Sequence, residues 1–547
     1  MTALLTDNLP LLAGAPNGIK KLRELILELA VRGKLVPQDT NDEPASELLK
    51  RIAEEKARSV AAGKKVKQQA DINDKEQPFS VPQGWSWVRL GSCLEMINGR
   101  AFKPTEWIGA GLPIVRIQNL NKPDAPFNYC DPDTVDDRHI IDTGTILISW
   151  SGTPGTSFGA FIWERGKAAL NQHIFSCSQV GDAFFDKFLK LAINTRLEEL
   201  IAKAHGGVGL QHVTKGKLEA LTLVLPPLAE QRRIVAKVDE LMALCDRLEA
   251  RQADADSAHA QLVQALLDSL TQARDAEDFA QSWQRLAEHF HTLFTTESSI
   301  DALKQTLLQL AVMGKLAPQD DPYNENRSDR PESSSFDLLD KEAPPFEVPL
   351  GWHWIRLSDL LEGGRDISYG VIKLGVEPKA GGVPVLRCSD VKPGHVVLHG
   401  VRRVSEKVEA DYVRTRLRGG ELIINIRGTL GGVALVDGSL AGYNVAREIA
   451  VVPVDSRHDP RFLLLVMLSP YFWNLVLDQL RGIAYKGLNL GALREFPVPI
   501  PPLAEQHRIV AKVDKLVALC DQLKARLSQA RQVHEQLANA LVEQAVA

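Results

Sequence analysis

Two stretches of this 547-residue chain set glycine beside Arg, Lys, Asn, Gln, Ser and Thr, residue types that hydrogen-bond more readily than they react. The first holds NGRAFKPTEW (Asn98–Trp107), RIQN (Arg116–Asn119), SWSGTPGTS (Ser149–Ser157), NQH (Asn171–His173) and HGGVGLQHVTKGK (His205–Lys217). The second holds GGRDISYGVIK (Gly363–Lys373), RCSD (Arg387–Asp390), NIRGT (Asn425–Thr429), YNVAR (Tyr443–Arg447) and RGIAYKGLN (Arg481–Asn489). Arg and Lys pair with guanine edges, Asn and Gln with adenine, and hydroxyls and backbone amides with phosphate. The candidates for such contacts in the first stretch are Arg100, Lys103, Arg116, Gln118, Asn119, Ser151, Thr153, Gln172, His173, Gln211 and Lys215. In the second they are Arg365, Tyr369, Lys373, Arg387, Ser389, Arg427, Thr429, Asn444, Arg447, Lys486 and Asn489. Ordinary surface loops share this composition. Recurrence at matching places in both stretches favours recognition.

Reaction chemistry is poorly represented. No G-x-x-x-x-G-K-[ST] phosphate loop occurs, and GTPGTSFG (Gly152–Gly159) lacks the lysine such a loop needs. H-E-x-x-H and G-x-S-x-G are absent, as are an adenine-methyltransferase loop pair and a nuclease carboxylate–lysine array. His173, His205 and His212 fall in polar loops and suit hydrogen bonding better than metal binding. The six cysteines (93, 130, 177, 245, 388 and 520) lack zinc-ligand spacing, so no metal site and no disulfide framework is expected. Cys245 and Cys520 read as small buried apolar residues. Net charge is −5, against an unaided nucleic-acid binder. The charge is uneven, however: residues 81–225 carry 14 basic and 14 acidic side chains, and residues 348–500 carry 19 and 15. Any nucleic-acid contact must use local patches or lean on a partner. No apolar run approaches a membrane span, and the N-terminus has no secretory pattern, so a cytoplasmic protein is expected.

The elements that must hold these loops come in duplicate. PPLAEQRRIVAKVDELMALCDRLEAR (Pro226–Arg251) returns as PPLAEQHRIVAKVDKLVALCDQLKAR (Pro501–Arg526), differing only at Arg232/His507, Glu240/Lys515, Met242/Val517, Arg247/Gln522 and Glu249/Lys524. LAVxGKLxPQD closes both Ile19–Asp39 and Ile300–Asp320, and FSVPQGWSWVRL (Phe79–Leu90) matches FEVPLGWHWIRL (Phe346–Leu357). PIVRIQNL (Pro113–Leu120) resembles PVLRCSDV (Pro384–Val391), and GTILISWSGTPG (Gly144–Gly155) resembles GELIINIRGTLG (Gly420–Gly431). A whole domain has been duplicated, its helices held to one shape and its bodies free to diverge. Ile234, Val238, Leu241, Cys245 and Leu248 form a heptad seam, as do Ile509, Val513, Leu516, Cys520, Leu523 and Leu527. The GKL helices offer matching seams at Ile19, Leu22, Ile26, Leu29 and Ile300, Leu303, Leu307, Leu310. Gly33 and Gly314 sit where left-handed caps would end those helices. A continuous helix from Glu230 to Thr271 would run roughly 60 Å, long enough to hold two domains at a fixed distance.

Taken together, PPLAEQ opening a heptad helix, LAVxGKL closing another, and two divergent bodies each begun by VPxGWxW resemble the specificity subunit of type I restriction–modification enzymes. The resemblance covers nearly the whole chain. It implies an α+β fold: two globular α/β target recognition domains separated and bridged by long antiparallel coiled-coil helices, in a pseudo-twofold internal repeat. The expected division is an N-terminal helix (1–40), a polar linker with a short helix (41–78), recognition domain one (79–225), central coiled-coil helices (226–320), a flexible linker (321–345), recognition domain two (346–500) and a C-terminal helix (501–547). The helix-pairing residues would be Ile234, Val238, Leu241, Leu248, Ile509, Val513, Leu516 and Leu523. The implied role is noncatalytic: reading a bipartite asymmetric site in double-stranded DNA, with two modification subunits and up to two restriction subunits as partners. S-adenosylmethionine, ATP and Mg2+ would serve those partners, and this chain would bind no cofactor. The chain departs from simpler members in its own first GKL helix, which would meet the C-terminal helix, and in the added SWQRLAEHFHTLFTT (Ser282–Thr296). A coiled-coil scaffold for proteins, a specificity protein of a methylation-only system and a self-contained endonuclease are the alternatives.

Overall fold

In the computed structural model, the structure describes residues 9–63, 69–122, 124–150, 158–203, 214–316, 344–480 and 487–546. The protein is mixed α/β. It divides into two compact units, Met1–Asp254 with Arg531–Ala547, and Ala255–Ala530.

Each unit contains one body, and the two bodies share a strand plan. In unit one Ser86–Arg89 pairs antiparallel with Thr222–Leu225, so the chain enters and leaves the body side by side. Between them lie two four-stranded sheets. One is ordered Leu94–Asn98, Ile174–Gln179, Ile146–Ser149, Gly159–Ile162. The other is ordered Asn128–Cys130, Leu112–Val115, Ala168–Leu170, Ile140–Ile141, with a parallel pair at its centre. Unit two repeats the stem as His353–Arg356 with Pro497–Ile500. It repeats the first sheet as Ser368–Tyr369, Ile449–Val452, Leu422–Asn425, Val433–Leu435. Its second sheet is Arg402–Val404, Val383–Leu386, Asn444–Val445, again with the parallel pair. The central strands ILIS, LIIN and IAVV are buried along their whole length, as expected of runs covered on both faces.

The duplicated motifs hold helix to body. Gly33 and Gly314 adopt φ of 68° and 70°, the left-handed caps that the sequence predicts. The next amide, of Lys34 or Lys315, reaches back to Leu29 O or Leu310 O at 2.9 Å. A Cβ on Gly33 would lie 2.4 Å from Pro82 Cγ, and one on Gly314 2.4 Å from Pro349 Cγ. The GKL glycine therefore abuts the VPxGW proline of its own half. In PPLAEQ, Gln231 is fully buried. It donates to Ala183 O (3.0 Å) and Pro226 O (2.9 Å) and accepts from the Phe185 amide (2.7 Å). Gln506 likewise donates to Pro501 O and accepts from the Asp459 amide, both at 2.8 Å. Glu230, 1% exposed, accepts from Trp85 Nε1 at 2.9 Å, and burial pushes its carboxyl above the usual range.

The PPLAEQ helices run Leu228–Thr271 and Leu503–Val546, 44 residues each. Within unit one, Ile234, Val238 and Cys245 share a core with Ile19, Leu22, Ile26 and Leu29, and Leu241 and Leu248 flank it. Leu12 and Ala15 pack with Ala538, Leu541 and Val542, Lys21 Nζ meets Glu535 Oε1 at 3.0 Å, and the His534 ring lies 2.7 Å from Leu11 O. The first GKL helix thus meets the end of the chain. Within unit two the seam is divided. Ile509 and Val513 plug the body core, whereas Cys520, flanked by Leu516 and Leu523, joins Ile300, Leu303, Leu307 and Leu310. His259 Nε2 lies 3.2 Å from Thr292 O, repeating the contact of His534. Lys315 Nζ donates to Thr271 O and Ala273 O where the long helix ends.

The linker helix Ala45–Ala61 docks through Leu48 and Ile52, and Arg89 ties the following segment to the stem through Glu76, Ala70 O and Asp71 O. Among the described residues no single helix is long and apolar enough to cross a membrane.

Candidate nucleic-acid interface

Strand ends bring the polar loops of each body together. In body one the Arg100 amide bonds Leu170 O, the Asn171 amide bonds Val115 O, and the Trp150 amide bonds His173 O. Arg100, Arg116, Gln172 and His173 are thereby neighbours at one end of the two sheets. In body two the Val371 amide bonds Val445 O, the Arg447 amide bonds Val371 O, the Ala446 amide bonds Leu386 O, and the Arg427 amide bonds Glu448 O. Leu488 closes onto Ile426 O. Lys373, Arg387, Arg427 and Arg447 are gathered in the same way.

Glycine makes the junction compact in both bodies. A Cβ on Gly99 would lie 2.2 Å from Asn171 O, and one on Gly370 1.8 Å from Val445 O. The turn after the parallel strand is also shared: Asn119 Oδ1 accepts from the Arg116 amide at 3.0 Å, and Asp390 Oδ2 from the Arg387 amide at 2.9 Å.

The side chains at these ends differ in kind. Body one is aromatic and polar. Trp150 Nε1 donates to Asn98 Oδ1 at 3.2 Å, its ring lies 5.3 Å from that of His173, and the Arg116 guanidinium stands 5.8 Å from the exposed Trp107 ring. Arg100 lies 4.2 Å over Phe102 and pairs with Glu106. The Lys103 amide, and then Arg100, hold the Glu106 carboxyl below the usual range. Burial, then Arg138, pulls the nearby His139 ring down. Body two is basic instead: Lys373 and Arg447 are exposed, and Arg387 is held by Asp390 and by Gly400 O at 3.2 Å. Gln118, Gln172, Lys103, Tyr369, Ser389, Thr429 and Asn489 are exposed, although Asn489 also caps the short helix after it.

Three candidates are structural. Asn119 is 1% exposed, and its amide donates to Ala125 O and Pro126 O. Asn444 is fully buried, bonded to Thr415, Glu409 and Tyr412 O. Arg365 is consumed by Glu362 and the buried Glu421, each at 2.9 Å. A buried polar group is retained because its partners are fixed, which leaves nothing to offer DNA. Lys215 Nζ bonds Met96 O at 2.8 Å, but its side chain stays 50% exposed. Ser151, Thr153, Gln211 and Lys486 lie outside the described residues. Asn98, Trp107 and Trp150 were not among the sequence candidates, although all three stand within the quoted loops. An aromatic ring beside glycine and arginine was the available signal.

Two copies of one framework, presenting different hydrogen-bonding groups from matching loop ends, define a duplicated recognition protein. Among the described residues no group of three or more His, Cys, Asp or Glu is placed to hold a metal ion. The family model for the type I restriction modification DNA specificity domain matches residues 82–255 and 349–530. The specificity subunit of the Escherichia coli type I restriction enzyme EcoAI is 33% identical, over 97% of this chain and 94% of that one. That of EcoEI, also from Escherichia coli, is 32% identical over the same shares. Among solved structures, the HsdS subunit from Thermoanaerobacter tengcongensis matches 86% of this chain and 98% of its own at 20% identity, with a TM-score of 0.42. The chain belongs to the specificity subunits of type I restriction–modification systems. It is the noncatalytic, sequence-recognising component, and the reactions reside in other subunits.

Proposed function

We propose that this chain reads a bipartite asymmetric DNA site, body one taking one half-site and body two the other. The observation that carries the reading is the contrast at the loop ends: one strand framework used twice, with Trp107, Trp150, His173 and Arg116 in body one and Lys373, Arg387, Arg427 and Arg447 in body two. Equal frameworks approach DNA in equal ways, and unequal side chains read unequal bases. The long helices act as an antiparallel coiled-coil spacer that fixes the gap between half-sites, since two readers on one DNA face must stand about a whole number of turns apart. Their repeated surfaces take two modification subunits, which recruit up to two restriction subunits. S-adenosylmethionine, ATP and Mg2+ act in those partners, in the cytoplasm.

The test is to sequence modified bases in DNA from cells expressing this chain with its modification partner. Methylated adenines at two different short sequences separated by a constant gap are expected. A single continuous palindrome overturns the two-reader reading.

A further inference from the structure

The two bodies share a framework, and at the loop ends they also share one side chain. Val115 pairs with Leu170 in body one, and Leu386 with Val445 in body two, each as the last step of the parallel ladder. The residue that follows is arginine in both, Arg116 and Arg387. The positions around it have changed. The strand ladders match Arg100 with Val371, Gln172 with Arg447 and Trp150 with Ile426.

The backbone at this arginine is held alike in both bodies. Its amide donates to a side chain three residues on, Asn119 Oδ1 at 3.0 Å or Asp390 Oδ2 at 2.9 Å. The guanidinium is held differently. Arg116 Nε has no hydrogen-bond partner among the described residues, and the group stands 5.8 Å from the Trp107 ring. Asn119 turns its own amide to Ala125 O and Pro126 O instead. Arg387 Nε and Nη2 each donate to Asp390 at 3.3 Å, and Nη2 also donates to Gly400 O at 3.2 Å. None of these bonds uses Nη1. Both arginines remain partly exposed.

A side chain kept for its internal bonds would keep its partners as well. Here the guanidinium is kept and its partners are replaced, so the common demand comes from outside the fold. A demand common to readers of different sequences is met by the part of DNA that does not vary, the phosphate. Contacts to phosphate fix register and orientation and carry no sequence information. We infer that Arg116 and Arg387 are equivalent phosphate contacts, one for each half-site. They seat each body on the duplex so that the unlike side chains around them meet base edges. The inference rests on the two-reader reading above. It takes these two arginines out of the groups that distinguish the half-sites.

The test uses the complex of the full chain with its modification partner. The probe is a fluorescent duplex carrying the methylated motif that sequencing of modified bases reveals. R116Q should lower the slope of log K against log salt by about 0.9, so that its affinity deficit shrinks about threefold from roughly 0.1 M to roughly 0.4 M salt. The deficit should stay the same, within about twofold, on duplexes with any one base pair of either half-site exchanged. R116K should restore most of the affinity, because a point charge serves a phosphate but not a bidentate guanine contact. R387Q should repeat the loss of slope, and R387K, which keeps a cation beside Asp390, should bind nearly as the wild type does. Loss of discrimination at one base pair would make the arginine a base reader. An unchanged salt slope, with or without a lowered melting temperature, would place it off the DNA. Either result at a bipartite motif overturns the inference alone. A continuous palindrome overturns the two-reader reading and the inference with it.

Discussion

Gly33 and Gly314 each meet two demands that only glycine can meet together. Their φ values of 68° and 70° lie in the left-handed region, and a Cβ would drive into Pro82 or Pro349 at 2.4 Å. Left-handed backbone alone costs an L-residue about 1–2 kcal/mol. Gly84 supplies the control, since its φ is 89° but no described atom lies within 4 Å of a Cβ there. Gly84→Ala should therefore cost about 1 kcal/mol, and Gly33→Ala roughly 2–4 kcal/mol, because Pro82 must move and the buried Trp85 ring also lies 3.0 Å from the added Cβ. Shifts in the urea midpoint for the two variants measure the difference, and equal shifts would refute the steric part. The cap was legible in the sequence, where GKL follows an apolar-periodic run. The proline contact was not, because it joins segments that are 49 positions apart in the first half (82 − 33) and 35 in the second (349 − 314). Asn119 and Asn444 show the converse failure. Their residue type suggested base reading, but type does not report burial, and both are internal ties.

At the scale of elements, PPLAEQ is a joint more than a helix start. Proline and an apolar heptad foretold the helix. They did not foretell that Gln231 would saturate three backbone groups of the body or that Glu230 would take the Trp85 indole. This explains why both halves keep Glu and Gln where any helix former would begin a helix. It also explains why Ile509 and Val513 fill a body core rather than a coiled coil. Gln231→Ala would strand the Phe185 amide and the Ala183 and Pro226 carbonyls in a site with no exposure. Buried groups left unpaired cost about 1–3 kcal/mol each before relaxation. A loss of roughly 3–4 kcal/mol is expected, after allowing for relaxation of the loop at Ala183. Hydrogen exchange locates the damage: the amides of Ala183–Phe185 and of the first turns after Leu228 should lose protection, while those of residues 255–271 keep theirs. Uniform loss along the whole helix would show that Gln231 does not act at the joint.

For the whole molecule, what matters is that each body is an excursion from a two-stranded stem. Ser86–Arg89 lies against Thr222–Leu225, and His353–Arg356 against Pro497–Ile500, so the chain departs and returns at neighbouring points. Some contacts to the helices sit at the stem, Gly33 on Pro82 and Glu230 on Trp85, and others lie inside the excursion: Gln231 on the loop at Ala183, Arg232 over Phe185, and Phe184, Phe188 and Leu189 in one core with Leu22, Ile26 and Leu29. The contacts inside the excursion are the ones a body exchange must respect. Residues 90–221 from another specificity subunit should therefore be accepted here when they offer a carbonyl and an amide to Gln231 and an apolar helix face to the GKL helix. The net charge of −5 adds a second condition, since a chain without an overall basic excess must, under the proposed reading, recognise DNA through local side chains. Exchange of residues 90–221 should then change one half-site of the methylated sequence and leave the other half-site and the gap as they were. Sequencing of modified bases before and after the exchange reads all three at once. A change in both half-sites would mean that the bodies do not read independently. A changed gap would mean that the body, and not the helices, sets the spacing.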